Sequence, residues 1–167
     1  MAQSKTSLLT ATGLFAALIT LTTAYICHIP YGANGGYIHF GDSLIYLAAI
    51  LLPRPYAIGA AMLGGGLADL LTAPMWAPFT LIAKALLIIP FTSTSTSSLC
   101  MRNKIAPFIG MCITILVYYI AEGILYGSFV TPVFSIFGNV IQGTGSAIFF
   151  YLSAYAIEKS KIKSRFF

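Results

Sequence analysis

Charge is scarce in this sequence: four acidic and nine basic residues among 167, 8% in all, against about 25% in an average soluble domain. That scarcity excludes an ordinary water-soluble globule, which needs ionised groups to cover its surface. Cysteine is scarce too. Cys27, Cys100 and Cys112 have no regular spacing, which argues against a disulfide framework or a thiolate cluster. His28 and His39 have no cysteine or acid at a metal-ligand spacing, so no metal site is expected. Enzyme signatures are missing as well: no GxSxG elbow, no HExxH, no Walker lysine loop and no paired-aspartate pattern. GTGSA near the C-terminal end lacks the flanking order of a nucleophile elbow and reads as a small-residue packing face. No catalysis and no cofactor are expected.

What the chain has is apolar length. Hydrophobic residues make up 58% of it, and runs approaching a bilayer-spanning helix occur at Leu8–Ile29, Asp42–Leu52, Tyr56–Leu71, Ala77–Thr92, Ile105–Tyr126 and Pro132–Ile157. The pattern predicts an all-α membrane protein, a single bundle of six transmembrane helices over 1–167. The second run is too short to cross unless the loop before it dips into the membrane. The first follows Lys5 as a signal peptide would, but its core is too long and lacks a small-residue cleavage site, so it is read as a retained span.

The basic residues orient the bundle. Lys5, Arg54, Arg102, Lys104, Lys159, Lys161, Lys163 and Arg165 all fall on one side of a six-span layout, and the opposite connections hold no Lys or Arg. By the positive-inside rule both termini are cytoplasmic in a multi-pass plasma-membrane protein. Spread over four segments, these charges suit anionic inner-leaflet lipid rather than nucleic acid. The Ser/Thr tract FTSTSTSS on this side reads as a flexible linker.

Lys84 breaks the rule. It lies seven residues into the fourth run, about 10 Å deep at about 1.5 Å per residue. Asp69, Glu122, Asn139 and Gln142 fall at similar outer depths of other runs. Intramembrane polar groups face protein or a watery cavity, so these are the candidate site residues. Asp69 and Lys84 are expected to pair, either as a staple for the hairpin of spans three and four or as part of a binding site. Glu122 pairs with Lys84, is protonated, or meets a group from outside. Tyr118 and Tyr119 precede it by four and three residues, and Asn139 and Gln142 are three apart, so each set shares a helix face. The outer connection HIPYGANGGYIHFGD brings Tyr37, His39 and several glycines, a mobile lid with stacking groups. Trp76, Tyr31 and Phe40 serve either that cavity or the interfacial aromatic belt.

The run GGGLADLL, Gly64 to Leu71, places three glycines beside an acid. Membrane helices associate through small residues four apart, and Ala60 with Gly64, Ala61 with Gly65, and Gly64 with Ala68 supply such faces. The first run has two small ladders: Thr12, Ala16, Thr20 and Ala24, and beside it Gly13 and Ala17. Their use is internal packing or docking of another membrane protein.

The stretch GGYIHFGDSLIYLAAILLPRPYAIGAAMLGGGLADLLTAPMWAPFTLIAKALL, with FGNVIQGTGSAI in the last run, resembles the substrate-binding S component of energy-coupling factor (ECF) vitamin transporters, in the group with riboflavin-, pyridoxine- and hydroxymethylpyrimidine-type members. The resemblance covers nearly the whole chain. It implies a six-helix bundle that captures one water-soluble vitamin near the outer face and associates with a transmembrane scaffold subunit and two cytoplasmic ATPases, which supply ATP hydrolysis. It places the site on the outer loop and outer helix halves, matching Tyr37, His39, Trp76, Lys84, Glu122, Asn139 and Gln142. It makes Gly13 and Ala17, with Gly replacing the first Ala of the family's alanine-xxx-alanine motif, the docking surface. Within the family the polar and aromatic set favours a pyridoxine- or hydroxymethylpyrimidine-like ligand. The competing readings are a self-sufficient small-solute transporter or channel, which needs a polar path past Met111, Val117 and Ile148 to Tyr151, and a ligand-free membrane assembly protein.

Overall fold

The computed structural model describes residues 4–26, 28–31 and 36–160. Six long helices carry the fold: α1 (Lys5–Leu21), α2 (Gly41–Leu51), α3 (Arg54–Thr72), α4 (Ala77–Ile88), α5 (Met101–Tyr126) and α6 (Val133–Lys159). A π turn, Thr22–Ile26, extends α1, and a 3-10 turn, Pro74–Trp76, leads into α4. Lys5–Ile26, Met101–Tyr126 and Val133–Lys159 are each long and apolar enough to cross a membrane. Of the basic tail after α6, Lys161, Lys163 and Arg165 lie outside the described residues, as does Cys27.

Local chemistry sets several helix ends. Ser4 caps α1 by accepting the Ser7 N–H at 3.1 Å. Pro55 stands in the first turn of α3, where its missing N–H costs nothing. Gly127 ends α5 in the left-handed region, φ 63°, a conformation that a Cβ disfavours.

The outer connection, expected as a mobile loop, contains an antiparallel pair of strands, β1 (Ile29–Tyr31) and β2 (Gly36–Ile38), in register Ile29 with Ile38 and Pro30 with Tyr37. Its tip, residues 32–35, lies outside the described residues. Period-two apolar alternation is too short here to stand out against the neighbouring helical runs.

The shortest long helix is the axis. At 11 residues α2 rises only about 17 Å, yet it packs against α1, α3, α4 and α6, and Asp42, Ile45, Tyr46, Ala48 and Ile50 are all buried. The strand pair fills the depth that α2 leaves, with His39 buried between α2 and α6. Beneath it Tyr46 stacks on Phe91 with ring centres 4.9 Å apart, and Phe150 meets both edge-on. Outward, Leu9, Leu14, Leu63, Phe137 and Leu152 are exposed, the arrangement of a bundle whose solvent is lipid.

The triple glycine packs α3 between two neighbours. A Cβ on Gly64 would stand 2.6 Å from the Ile19 Cβ and 2.9 Å from the Ala16 carbonyl oxygen, so α1 meets α3 backbone to backbone, and Thr20 donates to the Gly64 carbonyl at 3.0 Å. A Cβ on Gly65 would stand 2.7 Å from the Lys84 Cγ. The bare α-carbon there lets the lysine stem of α4 lie across α3.

The Ser/Thr tract is no free linker. Asn103, fully buried, accepts the Thr92 N–H at 2.8 Å and donates to the carbonyls of Thr92 and Ser98. Glu158 at the end of α6 accepts from Ser97 Oγ at 2.8 Å and the Leu99 N–H at 3.1 Å. Low-complexity composition concealed these clips: Asn103 stands 11 residues from Thr92 and 5 from Ser98, and Glu158 stands 61 from Ser97 at the end of α6.

Candidate functional site

At the end of the bundle capped by the strand pair, five elements enclose a cavity of about 70 Å³ available to water centres. Tyr37 comes from β2 and His39 from the residue just after it, Asp69 from the last turns of α3, and Trp76 from the 3-10 turn. Tyr118 and Glu122 come from α5, and Asn139 and Gln142 from α6, with Ile38, Ser135 and Gly138 completing the wall. The sequence-predicted residues Tyr37, His39, Trp76, Tyr118, Glu122, Asn139 and Gln142 all lie on it. Lys84 does not.

The expected Asp69–Lys84 pair is replaced by another. Lys84 Nζ donates to Asp42 Oδ1 at 2.5 Å, with both side chains almost fully buried. The cause is depth. Asp69 sits at the level of Thr80, one turn before Lys84 on α4, and accepts from the Thr80 and Tyr37 hydroxyls. Lys84 runs over Gly65 to the first turn of the axial helix, where Asp42 waits. Gln142 joins the second carboxylate oxygen of Asp42 at 3.1 Å and accepts the His39 N–H at 3.3 Å. The ion pair thus forms the cavity's foundation, and Gln142 connects it to the wall.

Two carboxylates face the cavity. Thr80 gives its proton to Asp69, so its 2.7 Å contact with Tyr118 Oη is donated by the tyrosine, and a chain runs Tyr118 to Thr80 to Asp69. Glu122 accepts from Ser135 Oγ at 2.7 Å. Tyr119 turns away and donates to the Phe129 carbonyl at 2.7 Å, bracing the turn between α5 and α6.

Of the five buried side-chain polar atoms without a hydrogen-bond partner among the described residues, one belongs to the cavity lining. Trp76 is 5% exposed, lines the cavity, and its Nε1 has no hydrogen-bond partner among the described residues. An unpaired buried N–H costs about 1–3 kcal/mol. Its ring stands edge-on to Tyr118, centres 6.0 Å apart.

His28, just before β1, stacks on Tyr37 at 4.0 Å, and burial, then the Asp69 carboxylate, raise the Tyr37 phenol above its ordinary range. His39 Nδ1 accepts the Gly41 N–H at 3.1 Å, which requires a neutral ring. Burial pushes His39 down to about 3, with Lys84 and His28 adding to the effect and Asp42 opposing it. The wall therefore offers carboxylates, amides and phenols beside the buried, unpartnered indole N–H of Trp76, and none of its described residues is a Lys or Arg.

Sequence reasoning missed Asp42, Thr80, Ser135 and Gly138. Thr80 shares a helix face with Lys84 at i−4 and was within reach of the spacing rule. Asp42 opens the second apolar run, and only packing reveals it as buried. The two small ladders of α1 separate cleanly. Thr12 and Ala16 are buried against α3, whereas Gly13 and Ala17 are exposed, and a Cβ on Gly13 would meet nothing within 4 Å.

These features define an all-α membrane protein with a polar chamber enclosed between helix ends. The model of the family "ECF-type riboflavin transporter, S component" matches residues 3–159, and the chain belongs to that family. It is thereby the vitamin-type substrate-binding component of a transporter and not an enzyme. Among curated proteins it is similar to an uncharacterized protein in a gap 3' region of Pyrococcus woesei, 33% identical over 111 residues that cover 65% of this chain and 74% of that protein.

Proposed function

We propose that the chain crosses the plasma membrane six times with both termini in the cytoplasm, captures a single-ring water-soluble vitamin in the chamber from the outside, and delivers it through an ECF module. The observation that carries this reading is the convergence of Tyr37, Asp69, Trp76, Tyr118, Glu122 and Asn139 on one cavity with an unanswered indole donor. The orientation rests on Lys5, Arg54, Arg102, Lys104 and Lys159, which sit at the helix ends opposite the chamber. The scaffold subunit docks on the exposed Gly13 and Ala17 ladder, and two cytoplasmic ATPases power release.

Size and polarity narrow the ligand. A water needs about 10–15 Å³ of such volume, so the chamber holds roughly five to seven waters, near the bulk of one substituted six-membered ring and well short of a fused three-ring flavin with a polyol chain. Carboxylates at Asp69 and Glu122 suit a ligand that donates through hydroxyl or amino groups and oppose a phosphorylated one. The indole N–H suits a ring nitrogen or hydroxyl oxygen as acceptor. Pyridoxine and hydroxymethylpyrimidine meet these terms. The buried plug of Tyr46, Phe91 and Phe150 below the chamber opposes a continuous polar channel.

The test is to purify the protein, identify retained vitamin by mass spectrometry, and titrate pyridoxine, hydroxymethylpyrimidine and riboflavin against wild type, Glu122→Ala and Asn139→Ala. Selective single-ring binding, weakened in both variants while thermal unfolding stays near wild type, is the expected result. Tightest binding of riboflavin, or unchanged affinity in both variants, rejects the reading. Gly13→Leu is expected to reduce assembly with the scaffold and leave vitamin affinity intact; full assembly removes that docking surface.

A further inference from the structure

At the opposite end of the bundle lies a second recess, about 420 Å³ on the same measure, between the close of α2, the start of α3, the close of α4 and the clipped Ser/Thr loop. Ala49, Ile88 and Phe91 form its apolar side; Arg54, Arg102 and the hydroxyl-bearing residues 92–94 form its polar side. Arg102 spends Nε on the Pro90 carbonyl at 2.7 Å and one terminal nitrogen on the Ile89 carbonyl at 3.0 Å. Those bonds fix the guanidinium and leave its remaining donors unspent. Arg54 makes no ion pair or hydrogen bond among the described residues.

Among the described residues no carboxylate lines this recess. Its four acids are Asp42, held by Lys84; Asp69, held by Tyr37 and Thr80; Glu122, held by Ser135; and Glu158, held by Ser97 and Leu99. The first three stand near the chamber, and Glu158 does not line the recess. The first turn of α3 also lacks an acidic residue and a side-chain cap. Two guanidinium groups therefore share one concavity with no anionic partner among the described residues.

We propose that this recess binds the phosphate of an anionic phospholipid, with the phosphate between Arg54 and Arg102 and the glyceryl ester part over Ile88 and Phe91. Guanidinium groups match phosphate oxygens in geometry as well as charge. The lipid, rather than free phosphate, is favoured by the apolar side of the recess, Ala49, Ile88 and Phe91, and by exposed apolar side chains next to lining residues in sequence. Ile89 and Met101, adjacent in sequence to Ile88 and Arg102, are 50% and 73% exposed, ready to lie along acyl chains. The site is independent of which solute the chamber holds.

The experiment is native mass spectrometry of the full chain in detergent, titrated with phosphatidylglycerol, phosphatidylcholine and inorganic phosphate. Wild type is expected to retain phosphatidylglycerol over phosphatidylcholine. Arg54→Gln is expected to lower that retention by at least about fivefold, and Lys5→Gln, the same charge change on the first residue of α1, to leave it unaltered. Equal retention of the two lipids by wild type overturns the proposal whatever the variants do. Equal loss in both variants overturns it by showing diffuse attraction, and inorganic phosphate binding as tightly as phosphatidylglycerol overturns the lipid as occupant.

Discussion

Replacing Lys84 by methionine removes the cation from the axis of the bundle while keeping most of its stem over Gly65. The ammonium lies 2.5 Å from Asp42 Oδ1 with both side chains dry. At an effective dielectric constant of about 20 their gross attraction is about 7 kcal/mol, much of it offset by the desolvation of both ions. Removing one partner of such a pair leaves an uncompensated buried charge and costs about 3–5 kcal/mol. A change of that size lowers the unfolding midpoint by on the order of 10 °C. Thermal unfolding in detergent measures it, and a cycle identifies the partner. Asp42→Asn combined with Lys84→Met is expected to regain most of the loss, whereas Asp69→Asn combined with Lys84→Met is not. A loss below about 1 kcal/mol, typical of an exposed pair, would refute the buried foundation. Rescue through Asp69 instead of Asp42 would refute the pairing.

Trp76→Phe deletes the unanswered indole N–H; it is expected to hold or raise apo stability while weakening vitamin binding about tenfold, the worth of one buried hydrogen bond, and unchanged affinity measured by calorimetry would show that the ligand does not accept from it. His39 is neutral in the fold and held down to about 3, against about 6.5 when unfolded, so the unfolded chain binds the extra proton. Stability is then complete above about pH 6.5 and falls as pH drops toward 3, by up to about 1.4 kcal/mol per unit. Unfolding curves between pH 6.5 and 5 are expected to show that slope in wild type and lose it in His39→Gln; equal slopes contradict a buried neutral ring. Gly64→Ala forces a methyl within 2.6 Å of Ile19 Cβ and is expected to lower the unfolding midpoint, at a typical overpacking cost of about 1–3 kcal/mol, with no loss there marking α1 and α3 as further apart.

The polar residues at chamber depth, Glu122, Asn139 and Gln142 among them, were legible because lipid makes an intramembrane polar group conspicuous and helical periodicity gives its depth. The outer loop was legible as a wall of the site through its aromatic composition, although not as paired strands. Asp42 escaped because an acid at the start of an apolar run looks like a boundary, and the Ser/Thr tract because hydroxyl-rich composition does not reveal where its clips lie.

By itself the sequence determined the solvent: 58% hydrophobic and 8% charged residues require lipid around a helical chain, and the scarcity of polar groups in the apolar runs marks out those that matter. Only the tertiary structure decided which of them meet, since pairing depends on helix rotation, depth and the close approach that Gly64 and Gly65 permit. That is why Lys84 went to the residue 42 positions away and Asp69 to the hydroxyls above it. A one-dimensional pattern fixes the depth of a buried charge, and three-dimensional packing supplies its partner.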